Sequence, residues 1–458
     1  MSYSLYKSYI SIRNITNLMK FIILILIVFI GSGNLVAQNI DWSQMANTTW
    51  NLQSVYDSNG NIIQHSDEKL CFHDCNIDSE GIARINFTWD NLPIGGKISG
   101  GQLNARGNQF VIFDLPDEKS AEYFLISDWD RGSQNLTLVD QWGLKRIFKC
   151  EKPVQLGVGF TVDPLPFIKD ADEIYKLTDS GWDSLDNGNN DKAYTNFLKA
   201  ARSGNPSANL GLYCMGEKGL LKQYNDTDPT IFLYKAANSY NAMALAEVGI
   251  IHKRHARWGK AFTALRISSS AGYGFAQIFL GRYIYWGTMN FYHGENGPVE
   301  AASMMQAASE GEDGDPEALF WMGVFYHEGY GVEKSTIRSL DCFRRSAEKG
   351  SCKAQYFLGN AYYEKSNELG VEQDYNKAFK YLNDFVNNKN DFWKEYDNTN
   401  SEERNAYGLA YRNISAMYRF GRGCAKSSVK AEEMNQLAEQ YGNPDAQSIH
   451  NWLFGPKN

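Results

Sequence analysis

The sequence contains no run of basic residues longer than two, so it lacks the positively charged stripe that is typical of nucleic-acid-binding proteins. Its formal net charge is −8, and 21% of its residues are charged. Its seven cysteines are too irregularly spaced for a repeated disulfide framework, and their odd number leaves at least one unpaired. These absences exclude nucleic acid as the expected partner and a small cysteine-stapled domain as the expected fold.

Motifs of the common enzyme classes are also missing. The sequence has no Gly-x-Ser-x-Gly elbow, no phosphate-binding loop and no His-Glu-x-x-His helix. The segment from Asp186 to Asp191 contains acids and amides, but it lacks the ordered spacing and the closing glutamate of a calcium loop. We therefore expect no catalytic residue, no cofactor and no metal ion, and a function that is not enzymatic.

One segment near the N-terminus is strongly apolar. Lys20 is followed by the apolar residues 21–30, and a small residue, Ala37, lies at the end of the segment. This pattern is typical of a secretory signal peptide, and a ten-residue helix spans only about 15 Å of a hydrocarbon layer of about 30 Å. We predict a signal peptide over residues 1–37, no membrane span after its cleavage, and a protein that is secreted or held in the periplasm or cell envelope.

A short cysteine- and histidine-containing segment is the clearest candidate for metal ligands. Cys71, His73 and Cys75 lie close together, with His65 nearby. Thiolates and an imidazole can bind zinc, but this spacing matches no common zinc finger. Since paired cysteines of exported proteins more often form a disulfide, we favour a disulfide over a metal site.

Residues 40–155 alternate apolar and polar side chains in short runs separated by turn signals, which predicts a small all-β domain. The Asn59-Gly60 pair suits a tight hairpin turn. The order of these runs resembles a lipocalin-like barrel, in which a tryptophan such as Trp50 on an early strand is covered by an arginine such as Arg146 on the closing strand. The family's glycine two residues before the tryptophan is Thr48 here. The predicted strands are residues 49–56, 83–89, 109–113, 123–126, 136–139 and 144–148.

A barrel of this size has two interpretations. It binds a small apolar ligand, or it is filled by its own side chains and serves as a structural or docking module. Three prolines punctuate the segment that follows, so residues 156–169 are predicted to be a linker.

Residues 170–458 contain repeated sequence blocks. Residues 318–326 and 354–362 share an Ala-to-Gly pattern, which recurs around residues 208, 244, 276 and 410. A second block precedes several of these copies, as in residues 346–350 and 200–204. Small residues at fixed positions let two antiparallel helices approach closely, and one helix pair cannot bury its apolar face alone. The repeats therefore predict an α-solenoid of stacked helix pairs.

These blocks resemble the Sel-one-like repeat family, which is related to the tetratricopeptide repeats. The resemblance implies a right-handed superhelix whose concave face binds other proteins. The predicted fold class is thus multidomain α and β, with a small lipocalin-like β-barrel before an all-α solenoid. The predicted domains are a signal peptide at 1–37, a β domain at 40–155, a linker at 156–169 and the repeats at 170–458.

Large aromatic residues stand two positions before the repeat glycine in three successive copies, at Phe279, Trp321 and Phe357. Two interpretations stay open: these rings pack between repeats, or they line a groove that anchors a partner segment. In the second case, we expect Trp321→Ala to weaken partner capture and to leave the melting transition nearly unchanged. The secondary candidates for partner binding are Tyr285, Trp286, His327 and Glu328.

The leading hypothesis is therefore an exported scaffold that binds a protein partner through the concave face of its helical repeats. The alternative is a protein that binds a small apolar ligand in the barrel, or a glycan along the aromatic stripe.

Overall fold

The fold is given by a computed structural model, which describes most of the chain outside its first residues. The described residues are 40–79, 82–94, 98–106, 109–113, 121–130, 133–152, 154, 171–224, 228–287, 296–310, 314–365, 369–388, 400–441 and 453. The predicted signal peptide and the predicted linker lie outside these residues. The chain divides into two compact units, which are Met1–Tyr273 and Gly274–Asn458.

The first unit begins with an antiparallel β-barrel. Each strand pairs with its neighbour in sequence, except that β1 pairs with β3 and also with β9, which closes an eight-stranded barrel. The short strand β2 pairs with β1 at its end. The strands are β1 (Thr48–Tyr56), β2 (Ile62–Ile63), β3 (Lys69–Ile77), β4 (Ala83–Asp90), β5 (Ile98–Arg106), β6 (Gln109–Phe113), β7 (Ala121–Asp130), β8 (Asn135–Asp140) and β9 (Lys145–Cys150).

Side chains alternate across the barrel wall, as the sequence predicted. On β4, Ala83, Ile85, Phe87 and Trp89 are buried, and the residues between them are exposed or half-buried. The predicted hairpin is also confirmed, because Gly60 has φ +84° and Asp57 N donates to Asn61 O over 2.9 Å between β1 and β2. The interior of the barrel is thus formed by every second residue of its strands.

Fourteen helices follow within the described residues, and they form seven consecutive pairs. The first unit contains α1 (Ala171–Asp186), α2 (Asn190–Ala201), α3 (Pro206–Glu217), α4 (Thr230–Asn238), α5 (Ala242–Arg254) and α6 (Trp258–Ser270). The second contains α7 (Gly274–Tyr285), α8 (Gly297–Ser309), α9 (Pro316–Glu328), α10 (Thr336–Glu348), α11 (Cys352–Tyr363), α12 (Tyr375–Asn387), α13 (Asn400–Phe420) and α14 (Ser428–Tyr441).

Small residues set the distance between the two helices of a pair. A Cβ atom at Gly323 of α9 would lie 2.7 Å from the ring of Phe343 on α10, and one at Gly359 of α11 would lie 2.7 Å from Leu382 on α12. The hydroxyl of Ser339 on α10 donates to Gly323 O over 2.8 Å. The predicted role of the repeated glycine is therefore confirmed at these pairs, since a larger side chain would separate the helices.

Three of the turns that join one pair to the next share a second feature. Each of these three contains a residue with positive φ, followed by a residue that caps the next helix, as at Gly204 (φ +74°) before Asn205. Gly350 (φ +92°) precedes Ser351, whose hydroxyl accepts from Ala354 N. Tyr240 (φ +57°) occupies the same position between α4 and α5, where the side chain of Asn241 caps α5.

Candidate functional site

The structure buries two of the three residues of the predicted aromatic stripe. Trp321 on α9 is fully buried and Phe279 on α7 is nearly so, whereas Phe357 on α11 is half-buried. Their burial gives Trp321 and Phe279 a role in helix packing. The expectation that Trp321→Ala would leave stability unchanged is inconsistent with this burial.

Ring contacts nevertheless join the predicted residues into one network within the second unit. The Trp321 ring lies 5.4 Å from that of Tyr285 and 6.0 Å from that of Trp286, measured between centroids. Trp286 also contacts Tyr283, which stacks on Phe279 at 4.8 Å.

On the other side of Trp321, the network continues through neighbouring phenylalanines. Phe320 contacts Trp321 at 5.7 Å and Phe343 at 5.5 Å, and Phe343 contacts Phe357 at 4.8 Å. Phe279, Trp321 and Phe357 are therefore connected through intermediate rings of α7, α9 and α10.

A buried cluster of charged side chains surrounds Glu317 and orients the Trp321 ring. Its indole N–H donates to Glu317 Oε1 over 2.8 Å, and Lys353 Nζ donates to the same oxygen over 3.1 Å. Arg282 Nη1 lies 3.5 Å from that oxygen, and its guanidinium lies 4.7 Å from the ring centroid of Trp286. These charges are nearly inaccessible to solvent, so they serve to orient the helices. Sequence inspection missed them because α7, α9 and α11 each contribute one residue.

The accessible members of the predicted set lie around Tyr285. Trp286 and His327 are half-buried, and Glu328 is exposed. The hydroxyl of the buried Tyr285 donates to Glu328 Oε1 over 2.9 Å, which holds that carboxylate at the end of α9. Of the predicted residues in this part of the second unit, Trp286, His327 and Glu328 are thus accessible to solvent, whereas Trp321 is not.

A second buried cluster lies in the first unit, at the end of the barrel formed by the start of β3 and the end of β4. Glu68 is completely buried there and accepts hydrogen bonds from Trp89 Nε1, at 2.9 Å, and from the Tyr240 hydroxyl. Arg146 Nε lies 3.6 Å from Glu68 Oε2. The guanidinium of Arg146 lies over the rings of Trp89 and Tyr240, at 5.1 and 5.2 Å. The arginine identified from the sequence thus contacts Trp89 and a residue of the helical repeats.

A second carboxylate shares the same arginine. Asp140 Oδ2 lies 3.9 Å from Arg146 Nη1, and Asp140 Oδ1 accepts from the backbone N–H groups of Trp142 and Leu144. Burial raises the pKa of both Glu68 and Asp140, against the opposing effect of Arg146. One guanidinium therefore neutralises two carboxyl groups only in part.

Further contacts hold this end of the barrel against the first three helix pairs. The side chain of Gln141 donates to Ser203 O in the α2–α3 turn, and Gln64 N donates to Ser270 Oγ over 2.8 Å at the end of α6. Trp142 packs edge-on against Tyr175 of α1 at 5.1 Å. Together with Tyr240, these contacts attach the barrel to the turns that join successive pairs.

The barrel interior is occupied by large side chains. Trp50, Phe72, Phe87, Phe110 and Phe148 are all fully buried. An open cleft of about 600 Å³ lies on the barrel wall beside β1, β8 and β9, and most of the residues that line it are polar, including Gln53, Gln134, Asn135 and Lys149. The described barrel is therefore filled in the manner of a structural module and does not support an apolar ligand in its interior.

The candidate metal segment lies on β3 of the barrel. Cys71 and Cys75 both lie on β3 as thiols, on either side of a bulge, so the favoured disulfide is not formed. His73 contacts Thr88 Oγ1 at 3.2 Å. Among the described residues, no group of three or more His, Cys, Asp and Glu side chains could hold a metal ion.

Within the described residues, no helix has the length and apolar character needed to cross a membrane.

The helical part is an α-solenoid made of helix-pair repeats. Three of its segments, residues 183–205, 316–351 and 352–383, match the family model of the Sel1 repeat, so the chain contains Sel1 repeats as predicted. A comparison with curated proteins gives no match.

Two solved structures illustrate the resemblance to other repeat proteins. A Sel1 repeat protein from Oxalobacter formigenes is 20% identical with a TM-score of 0.44, and the match covers 57% of this chain and 96% of that one. A protective antigen present in uropathogenic Escherichia coli strains and displaying an SLR fold is 18% identical with a TM-score of 0.40, over 62% of this chain and 68% of that one.

Proposed function

We propose that the protein is a non-enzymatic scaffold that binds a protein partner through its helical repeats. The observation that carries this proposal is the use of its buried charged groups. Glu317 pairs with Lys353 and Arg282, and Glu68 pairs with Arg146, so these groups hold the fold together. A ligand can reach the outer surface of a series of helix pairs. This elongated surface suits an extended protein partner.

The proposed contact surface in the second unit consists of Trp286, His327, Glu328 and the half-buried Phe357. Trp286 offers an aromatic ring beside the buried Trp321, and Glu328 offers a carboxylate oriented by Tyr285. A tryptophan surrounded by polar groups is a common anchor in protein interfaces. The buried residues of the predicted stripe, Phe279 and Trp321, would act by supporting this surface.

The experiment is capture with the full-length protein, followed by measurement with the purified partner. Protein from the secreted and envelope fractions would be retained on immobilised wild type and identified, and its Kd would then be determined by calorimetry. Trp286→Ala should weaken binding by about tenfold or more, since buried interface anchors contribute about 2 kcal/mol. The matched control is Trp258→Ala, a half-buried tryptophan at the start of α6 in the first unit. Failure to recover a partner with measurable affinity would refute the scaffold proposal.

The barrel is proposed to orient or dock this scaffold. Its contacts with Ser203 and Tyr240 attach it to two turns between helix pairs, and its contact with Ser270 attaches it to the end of α6, which favours a fixed position relative to the first repeats. A chain in which these contacts are broken should therefore keep its partner affinity but lose the fixed orientation of the barrel.

We also propose that the protein is exported, on the basis of the apolar residues 21–30 after Lys20. Fractionation of producing cells tests this directly. Full-length wild type should be recovered outside the cytoplasm in a form shortened by about 37 residues. Deletion of residues 21–30 should retain it inside the cell, and equal distribution of the two forms would refute export.

A further inference from the structure

The junction between the last two described helices is rich in cations on an acidic protein. Residues 419–430 include Arg419, Arg422, Lys426 and Lys430 and contain no aspartate or glutamate, although the formal net charge of the chain is −8. All four cationic side chains are exposed, and none forms an ion pair within the described part of the chain. We call residues 419–430, which include the end of α13 and the start of α14, the basic loop.

The geometry of the basic loop is fixed by the helices on either side. Ser427 N donates to Tyr418 O over 2.9 Å, which ties the start of α14 to the end of α13. The guanidinium of Arg422 lies between two rings, 5.2 Å from the centroid of Phe420 and 5.1 Å from that of Tyr375. Lys430 lies 5.4 Å from the ring centroid of Tyr418. These cation–π contacts hold the positive charges in place without neutralising them.

Exposed apolar side chains accompany the cations. Phe420 is 62% exposed and Val429 is 70% exposed. Val429 is the second residue of α14, and Ile337, the second residue of α10, is exposed in the same way. Val299, the third residue of α8, is exposed as well. Starts of second helices in the second unit thus repeatedly expose a branched apolar side chain.

We propose that the basic loop binds an acidic, extended protein segment in which apolar residues alternate with carboxylates. This proposal rests on the scaffold function and assigns the partner's chemistry. No ion pair with a described residue neutralises these four cations, which favours a carboxylate-rich ligand by charge complementarity. The exposed side chains of Phe420 and Val429, among these cations, suit the apolar residues of such a segment.

Two other anionic partners fit the same surface less well. A membrane requires a broad apolar face that enters the lipid, whereas here two exposed apolar side chains, Phe420 and Val429, stand among four exposed cations. Single-stranded nucleic acid requires aromatic rings available for stacking, whereas one face of Phe420 is covered by Arg422.

The test uses the full-length protein and a labelled peptide of twelve residues that alternates glutamate and leucine. Its affinity is measured by fluorescence anisotropy at low and high salt, beside a lysine–leucine peptide, vesicles containing anionic phospholipid, and a thymidine oligonucleotide. Wild type should bind the acidic peptide in preference to all three, and the affinity should fall about tenfold between low and high salt.

The decisive variant is Lys426→Glu/Lys430→Glu, which should weaken peptide binding by about tenfold or more. Its matched control, Lys176→Glu/Lys192→Glu, makes the same charge change at exposed residues of α1 and α2 and should leave affinity within about twofold. Phe420→Ala should weaken binding without altering its salt dependence. Equal peptide binding by the decisive variant and wild type overturns the proposal, as does stronger binding to vesicles or oligonucleotide.

Failure of this proposal can be separated from failure of the scaffold function. If a captured partner binds wild type and the Lys426→Glu/Lys430→Glu variant with equal affinity, the basic loop is not the contact surface and the scaffold function stands. If no partner is captured and the acidic peptide does not bind, both proposals fail.

Discussion

The hydroxyl of Tyr240 donates a hydrogen bond to the carboxylate of Glu68, which lies 172 residues earlier in the chain. Tyr240 belongs to the turn between α4 and α5, and Glu68 belongs to the end of the barrel. Tyr240 adopts φ +57°, at a position where Gly204 and Gly350 stand in equivalent turns. A side chain other than glycine is strained in this region, so its contact with Glu68 and Arg146 must offset that strain.

Tyr240→Phe should lower the free energy of unfolding by about 1–3 kcal/mol, because it removes a donor from a buried carboxylate. Urea denaturation measures the change, and hydrogen exchange of the barrel amides assigns it to the first unit. Tyr240→Gly is the informative companion, since it relieves the backbone strain but removes the ring beneath Arg146. It should destabilise more than Tyr240→Phe; the reverse order would mean that the ring contributes little.

The shared arginine predicts a pH dependence. Burial raises the pKa of Asp140 and Glu68 in the folded state, so folding favours their protonated forms. In the unfolded chain, the pKa of each carboxyl group is about 4. Below that pH the protonated forms make their full contribution to stability, and this contribution is lost as the pH rises through the pKa of the folded state. The unfolding free energy of Asp140→Asn, measured relative to that of wild type, should therefore increase as the pH rises above 4. Unfolding free energies of both proteins across pH 3 to 8 provide the measurement, and a constant difference would contradict the prediction.

Trp321→Ala should lower the free energy of unfolding of the second unit by about 3–5 kcal/mol, because the side chain is fully buried and its removal leaves a cavity. Trp286→Ala, at a half-buried neighbouring ring, should cost much less stability. Thermal denaturation of the two variants, compared with their affinity for a captured partner, separates packing from binding. Equal stabilities of Trp321→Ala and wild type would show that Trp321 does not belong to the core.

A pair of glycines tests the contact between successive repeats. Gly331 has φ +66°, and a Cβ atom there would collide with the carbonyl of Pro298 at the start of α8. Gly370 has a similar φ of +62°, and nothing lies within 4 Å of its hypothetical Cβ. Both alanine variants carry the backbone strain of about 1–2 kcal/mol, but only Gly331→Ala adds the collision. Gly331→Ala should melt at a clearly lower temperature than Gly370→Ala, and similar melting temperatures would argue against this packing.

The helix pairs could be predicted because their spacing depends on residue size at fixed positions. Gly323 and Gly359 are recognisable in the sequence and contact the partner helix as expected. The first copies are less regular: position 213 is a tyrosine, and Gly181 and Gly211 contact Phe197 instead. A sequence gives the size of each residue. The helix that a residue contacts can be predicted only when several repeats have the same residue type at the same position.

The barrel was predicted with two strands missing. β5 contains Ser99, Gly100 and Gly101, which weaken the apolar alternation, and the cysteines and histidine of β3 suggested a ligand segment. Pairing with neighbouring strands makes both segments extended, which a local pattern does not reveal. The clusters around Glu68 and Glu317 escaped prediction for a related reason, since each combines residues from three or more elements distant in sequence.

The left-handed conformation of Tyr240 also leads to an expectation about related proteins. An ancestral helical array without a barrel would have no reason to keep a tyrosine in a left-handed turn, and glycine would be the more stable choice there. We therefore expect relatives that lack the barrel to have glycine at this position and relatives that retain it to have an aromatic donor. A single residue within the repeats would then indicate whether a barrel precedes them.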